Sequence, residues 1–530
     1  MEAKEEKKAS SQLIARLEDA IGHENVKTSK MERLLYSHDL APLPNVTQVG
    51  FMNVPDVVVR PRSTEDVSKI VKIASEEGVP ITPRGSSSWG LGGSMPCYGG
   101  ILIDFAAAMN KITEIDPVNL TVTAGPGATW KAVYDACMEK GLLLCSYPSS
   151  FPSATLGGWI STGGIGMGSM KYGSAGDNIR DMEVVMSDGT ILHTGTGKIS
   201  NNMSGYDLNR LIVGSEGTLG LVCKVTLKLM PGPEIMKPIA YSFPNLQAAG
   251  APILEIMRKR VDPLNISFAD GKHFEMLRKI GKHAPEVGAM ITITLEGAKE
   301  VVAYEEKVIE EIFIKAGAKR MDDAIAQHEW DERCYEFRVR EIGLGNIPGE
   351  VIVPMDTFST FTDRLYKLMD DLKMTGAIIG IIADRNTIMF MPYYLTDFDN
   401  LINLTSFGFN AKFNDLAYEF GGRPMGFGAF FAPNLDRVRG PGAKYIRQIK
   451  TTLDPKDIIN PGKMVGMSIR GNIKISPVLY ELGMGAMGVA KKMLPRDHLV
   501  EDKMEAYALE RAQKERAEAV HQHPKDDKKH

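Results

Sequence analysis

Cysteine is sparse in this chain. Five occur among 530 residues, Cys97, Cys137, Cys145, Cys223 and Cys334, and none forms a Cys-x-x-Cys pair. That spacing encodes neither an iron–sulfur cluster nor a zinc site, and an odd, scattered set suits a reducing compartment better than a disulfide scaffold. Long apolar runs are missing too: none approaches the roughly 18 residues that a membrane span needs. Met1–Lys8 mixes charges of both signs without an apolar core, so it does not read as a signal peptide, and a cytoplasmic protein is expected. Nor is there a dominant charge. Lys plus Arg number 62 against 66 Asp plus Glu, a formal net charge of −4, which supplies no electrostatic reason to bind nucleic acid. What remains, 43 % hydrophobic and 24 % charged residues, is the composition of an ordinary globular protein, long enough for two or three domains.

Glycine, by contrast, is concentrated. Between Tyr147 and Lys171, glycines at 157, 158, 163, 164, 166 and 168 sit among Ser and Thr and ahead of a β-like run. Such density sacrifices helix and strand propensity, so it points to a backbone that must come close to a large ligand whose charge is met by N–H groups. A second such segment, Val79–Ser94, places Arg84, Gly85, Ser86, Ser87, Ser88 and Trp89 after a short strand-like stretch, where amides and hydroxyls can wrap a pyrophosphate. A third, Gly205–Leu221, contains Gly214-Ser-Glu-Gly-Thr-Leu-Gly220. A single glycine-rich loop is weak evidence. Three in order over about 140 residues are strong.

These segments resemble the FAD-binding domain of the vanillyl-alcohol oxidase/p-cresol methylhydroxylase superfamily, in its glycolate oxidase and D-lactate dehydrogenase-like branch. Arg84–Gly93 is similar to that family's first pyrophosphate loop, and Pro148-Ser149 with Ala154-Thr155-Leu156-Gly157-Gly158 to its second. Lys171-Tyr172-Gly173, Asp177-Asn178-Ile179, Asp188-Gly189 and the 214–220 segment continue the pattern, and Leu453-Asp-Pro455 with Ile459-Asn-Pro-Gly-Lys463 resembles the return of the chain to the flavin domain. The resemblance covers roughly residues 30 to 466. It implies that FAD is held by residues 84–89, Pro148, Ser149, Ala154, Thr155, Gly157, Gly158, Thr162, Gly164, Gly166, Tyr172, Asp177, Asn178, Ile179, Glu216, Gly217, Leu219, Gly220, Asn460 and Lys463. Relatives that tether FAD covalently often use a His in the first loop, and here Ser86–Trp89 occupy it, so non-covalent FAD is expected. Trp89, where the family keeps glycine, reads either as a shield for one flavin face or as core filling.

The expected fold class is α+β: a two-subdomain FAD-binding domain of the p-cresol methylhydroxylase type and a cap with an antiparallel sheet and helices. Residues 1–50 form an N-terminal helical segment, helical over 10–40. Residues 51–232 are the FAD domain, and Pro231-Gly-Pro233 punctuates its end. The cap follows over 233–425, with helices expected at Leu246–Arg260, Ala303–Ala316 and Thr360–Lys373 and strands at Met290–Leu295, Glu350–Pro354 and Thr387–Pro392. Residues 426–470 return to the FAD domain, and 471–530 form a helical tail.

Chemistry is where the chain departs from its family. Metal-dependent members carry Gly-His-x-Gly-Asp-Gly-Asn-Leu-His and, later, Gly-Glu-His-Gly-x-Gly; those imidazoles and the glutamate hold a divalent ion, and a histidine takes the hydroxyl proton. This chain reads Gly380-Ile-Ile-Ala-Asp-Arg-Asn-Thr-Ile388 and Arg423-Pro-Met-Gly-Phe-Gly428, with Ile381 and Ile388 for histidines, Pro424 for Glu and Met425 for His. Isoleucine and methionine offer nothing to a hard ion or that proton, so no metal site is expected. Three catalytic candidates survive. Arg333, in Trp330-x-x-Arg, matches a family arginine that binds a substrate carboxylate, although a solvated helix face is an equal reading. Tyr393, next to Tyr394, offers a phenol or packs in the core, and Asp384 is retained from the metal motif. His328 reads as structural. Phe427, Phe430 and Phe431 suggest an apolar wall and a more hydrophobic substrate than the relatives take.

Two functions stay open: FAD-dependent dehydrogenation of a small alcohol or hydroxy acid, with electrons passed to a partner protein, or a non-catalytic flavin subunit that relays electrons. The tail contains Gly483-Met-Gly-Ala-Met-Gly488, a formal dinucleotide fingerprint without the βαβ context that gives it meaning. Val478–Leu494 is instead apolar and Met-rich, and Glu501–Val520 is a charged helix. The tail reads as docking an iron–sulfur or electron-transfer subunit, as touching a membrane periphery, or as folding back on its own domain. His521–His530 reads as disordered, and an oligomer is compatible with all of this.

Overall fold

A computed structural model describes residues 10–40, 54–200, 203–334, 337–397, 400–469, 473–496 and 498–522; the expectations for 1–9, 41–53 and 523–530 lie outside it. The first subdomain is built on a four-stranded sheet in the order Val26–Lys27, Val57–Val59, Ile101–Asp104, Ile81–Arg84, and its last three strands run parallel. The helix Thr64–Glu77 covers it. Ser63 caps its N-terminus by accepting from the Asp66 N–H, Glu65 and Asp66 favour the positive end of its dipole, and Gly78 closes it at φ 66°. Val67, Ile70, Val71 and Ala74 recur at helical spacing and are fully buried. The stretch 10–40 is not continuously helical. Ser11–Ile21 ends at Gly22 (φ 90°), Val26–Lys27 pairs with the sheet, and a second helix, Lys30–Leu35, restarts on Ser29.

The second subdomain is a six-stranded antiparallel sheet centred on Leu221–Pro231, flanked by Thr121–Ala124 and Ile179–Val185. Beyond Pro233 the chain builds a nine-stranded sheet whose pairings are all antiparallel: Ile235–Phe243, Asn265–Asp270, Ala289–Gly297, Gly376–Ile382 and Thr387–Thr396 form its body. Helices Gly250–Met257, Lys299–Lys315, Phe358–Asp371 and Phe407–Glu419 cover one face, while Ile379, Ile381, Met389, Met391 and Tyr393 on the other face share a core with the FAD domain. The helix expected at Leu246–Arg260 is shorter, because Gln247–Ala249 forms a 3₁₀ turn and Pro252 sits in the first helical turn.

After the cap the chain returns. Helix Gly442–Leu453 delivers Ile458–Asn460 to the edge of the first sheet, where the Ile81 N–H donates to Ile458 O (2.7 Å) and Asn460 N–H to Ile81 O (2.7 Å). A buried Lys450–Asp454 pair fixes the turn: Lys450 Nζ also donates to Thr218 O and Ile459 O, and Asp454 accepts from the N–H groups of Ile458 and Ile459. The tail then folds back on its own molecule. Helix Pro477–Met493 packs against Phe407–Glu419, so Gly483–Gly488 lies mid-helix and is no nucleotide loop. Helix Leu499–Gln522 buries Val500 and Met504 and donates the Tyr507 hydroxyl to Glu341.

Candidate active site

A groove runs between the two FAD subdomains, and the glycine segments converge on it. The loop after Ile81–Arg84 turns through Ser87 at φ 57°, held by a Ser87–Ser94 hydroxyl contact of 2.8 Å. Opposite it, Thr155 stands at the N-terminus of helix Leu156–Thr162 without a side-chain capping bond. A Cβ on Gly85 would lie 2.1 Å from Thr155 Oγ1, so glycine is what lets these two loops close on each other. Glu216 (φ 53°) and Gly217 (φ 67°) form the third side; Asn460 (φ 46°) donates Nδ2 to Glu216 O and to Gly93 O. The buried atoms Thr155 Oγ1 and Asn460 Oδ1 have no hydrogen-bond partner among the described residues. A row of hydroxyls, close backbone and unsatisfied buried polar atoms matches a ligand carrying a pyrophosphate, so the groove fits FAD.

Of the residues expected to hold the cofactor, Arg84–Trp89, Pro148, Ser149, Ala154, Thr155, Gly157, Gly158, Thr162, Gly164, Glu216, Gly217, Gly220 and Asn460 line this groove. The others support it from behind. Gly166 allows the backbone to approach Tyr147 O, and the Tyr172 hydroxyl donates to Glu296 (2.6 Å). Asp177 holds the Ser174 turn, Asn178 Nδ2 donates to Ser146 and to three carbonyls, and Ile179 and Leu219 are buried. Lys463 Nζ donates to Met95 O and Cys97 Sγ. Arg84 sends its guanidinium outward, to His38 O and Tyr36 O, and gives the groove its backbone. Glu216 turns its side chain away from the pyrophosphate loops. Its two carboxylate oxygens each accept one N–H, from Phe427 and Gly428, at 2.7 Å, and so clamp the returning chain to the FAD domain.

Beside the groove lies a second cavity of about 1090 Å³. Ser88, Trp89, Ser149, Ser150, Glu350, Met391 and Met425 line both spaces and mark where they meet. Trp89 fits there because Gly426 (φ 69°) has no side chain; a Cβ would stand 2.0 Å from the indole. The indole Nε1 donates to Glu350 Oε2 at 3.3 Å. Glu350 is the single carboxylate that lines both spaces among the described residues; it is half-buried, and its desolvation raises its pKa above the ordinary range despite the indole's hydrogen bond. The sequence held a faint signal for it: one acid at the head of an otherwise apolar strand, Val351–Pro354.

The three catalytic candidates do not line either cavity. Arg333 sits in an aromatic cage, 4.2 Å from the Trp330 ring centroid and 5.3 Å from that of Phe151, and donates to Trp330 O and the Tyr147 hydroxyl. Those contacts engage its Nε and Nη1 and tie the cap to the segment around Tyr147. Tyr393 is fully buried and shares a hydrogen bond of 2.9 Å with His273 Nδ1, whose pKa burial lowers to about 3. Asp384 lies exposed in the hairpin turn before Thr387, accepting from the Asn386 N–H. Met425, expected to replace a family histidine, does reach the junction, whereas Ile388 packs in the opposite core. Among the described residues no group of three or more His, Cys, Asp and Glu is placed to hold a metal ion.

Residues 55–195 match the FAD binding domain family, and residues 233–464 match the C-terminal domain of FAD linked oxidases. The chain is 31 % identical over 465 residues to the glycolate oxidase subunit GlcD of Bacillus subtilis, covering 85 % of this chain and 96 % of that protein. It is 30 % identical to a D-lactate dehydrogenase of Archaeoglobus fulgidus, covering 77 % and 91 %. The fold is that of the 4-ethylphenol oxidase of Gulosibacter chungangensis (TM-score 0.72, 19 % identity, 86 % and 96 % covered), and of p-cresol methylhydroxylase with the same TM-score, identity and coverage. With groove, cap and sequence in agreement, the chain belongs to the FAD-linked oxidoreductases of the glycolate oxidase and D-lactate dehydrogenase type.

Proposed function

We propose that this protein dehydrogenates the CH–OH carbon of an apolar hydroxy acid or alcohol without a metal ion, and that Glu350 takes the hydroxyl proton. The observation that carries this is the position of Glu350: a carboxylate at the meeting point of the FAD groove and the cavity, touched by one indole N–H. Bound FAD, held without a covalent link, supplies the acceptor for the two electrons and the hydrogen that leave carbon. The chain does the rest. As the carbon is oxidised to a carbonyl, the hydroxyl proton passes to a Glu350 oxygen, and burial places that carboxylate nearer neutrality, where a general base works best. Trp89 orients the carboxylate, while Met391 and Met425 keep water from the junction.

Electrons then leave to a partner protein, a reading supported by the relative named as an oxidase subunit. The rival reading, a flavin subunit without a substrate, gives no reason for a large cavity ending on a half-buried carboxylate. Anaerobic addition of hydroxy acids to the holoprotein separates the two: the flavin absorbance near 450 nm bleaches in a dehydrogenase and stays unchanged in a relay. Acid precipitation should leave the flavin in the supernatant; colour retained in the pellet would contradict non-covalent binding.

A further inference from the structure

The cavity is too large and too greasy for glycolate or lactate. Its volume of about 1090 Å³ stands at the top of the ~300–1000 Å³ range of pockets that hold drug-sized ligands. Methionines 391, 425, 467, 484 and 487, with Phe430 and Phe431, supply much of its wall. Flexible thioethers adapt to a chain that itself takes many conformations, unlike the rigid slot that one aromatic ring needs. The outer wall comes from the end of the returning chain, Met467, and from the C-terminal tail, Ile475, Leu479, Met484 and Met487. At Leu479, 59 % exposed, that wall reaches the surface.

The polar groups of the cavity narrow the choice. Lys282 pairs with Glu341 at 2.6 Å, and Arg338 with Glu329 at 3.4 Å and Glu332 at 3.7 Å. Arg340 also lines the cavity and has no ion-pair partner among the described residues. One unengaged guanidinium in a mostly apolar space suits one carboxylate.

We propose that the substrate is a 2-hydroxy acid with a long unbranched alkyl chain, its carboxylate at Arg340, its hydroxyl at Glu350 and its chain along the methionine wall that the tail completes. This rests on the cavity being the site of oxidation argued above.

The test uses the full-length holoprotein and two independent readouts. In the first, 11-(dansylamino)undecanoic acid is titrated in and its fluorescence followed, then displaced by 2-hydroxy acids of three to sixteen carbons. In the second, the same series is scored for anaerobic flavin bleaching. The proposal expects displacement and kcat/KM to rise with chain length by roughly three- to fourfold per methylene, the ratio that about 0.8 kcal/mol per buried CH2 gives. Met487→Trp, with flavin content retained, should move the optimum to shorter chains by filling the wall. Arg340→Gln should weaken displacement by the acids at least tenfold and leave displacement by the corresponding alcohols unchanged. Bleaching by lactate as efficient as by long-chain acids, or displacement by aromatic hydroxy acids in preference to alkyl ones of equal carbon number, would overturn it. Chain-length-dependent displacement without any bleaching would keep the chain site and sink the oxidation reading instead.

Discussion

A carboxylate and a carboxamide have nearly the same shape, so Glu350→Gln isolates the charge. The substitution should lower kcat by about 10²- to 10⁴-fold, the range typical of a lost general base, with flavin content unchanged. Because burial raises the Glu350 pKa, the wild-type acid limb of kcat/KM should lie above the ordinary glutamate value of about 4.3, and it should vanish in the variant. The linkage has the opposite sign for stability. A raised folded-state value favours the protonated form, so the native state is destabilised as pH rises through it, and Glu350→Gln should melt no lower than wild type at pH 8, and higher if the effect is large. A lower Tm there would mark Glu350 as structural. Glu216, more deeply buried than Glu350, accepts two buried N–H groups, and Glu216→Ala leaves both unpaired; a loss of about 2–5 kcal/mol is expected in denaturant unfolding, accompanied by weaker FAD retention.

Between elements, a close backbone approach joins the tail to the cap. A Cβ on Gly408 would stand 2.4 Å from the backbone nitrogen of Gly488, so helix Pro477–Met493 rests directly on helix Phe407–Glu419. Gly408→Ala must push the tail helix away: a cost of about 1–3 kcal/mol is expected, with faster amide exchange across 477–493 than across 64–77 and weaker binding of apolar ligands. Equal exchange in variant and wild type would show that the wall does not depend on this contact. The outer side of the same helix leaves Val478, Leu482, Val489 and Met493 at least 60 % exposed, while Met484 and Gly488 face inward. Strong periodic elements such as Thr64–Glu77 are legible in the residues because capping and apolar spacing act locally. Strands Ile235–Phe243, Asn265–Asp270 and Gly376–Ile382 are not, because their pairing partners lie far away in sequence and short apolar runs fit helix and strand alike.

At the scale of the molecule, the groove that fits FAD takes its sides from residues 84–94, 148–165, 216–222 and 460, so a flavin bound there would tie together both subdomains and the returning chain. Stripping the flavin should therefore lower Tm, and restoring it to 100 times its Kd should recover about 2.7 kcal/mol; an unchanged Tm would mean that the groove folds independently of its ligand. The cofactor was readable in advance because glycine and hydroxyl residues that accommodate a pyrophosphate must recur at fixed places in the chain. The carboxylate proposed to react was not. Arg333 and Tyr393 carry suitable chemistry, yet folding places them in an aromatic cage and a buried histidine contact, whereas Glu350 gains its proposed role from the company of Trp89, Met391 and Met425. Motifs report what one segment does to a ligand it touches. The carboxylate at the junction, and the tail that walls the cavity, depend on residues hundreds of positions apart, and only the packed chain brings them together.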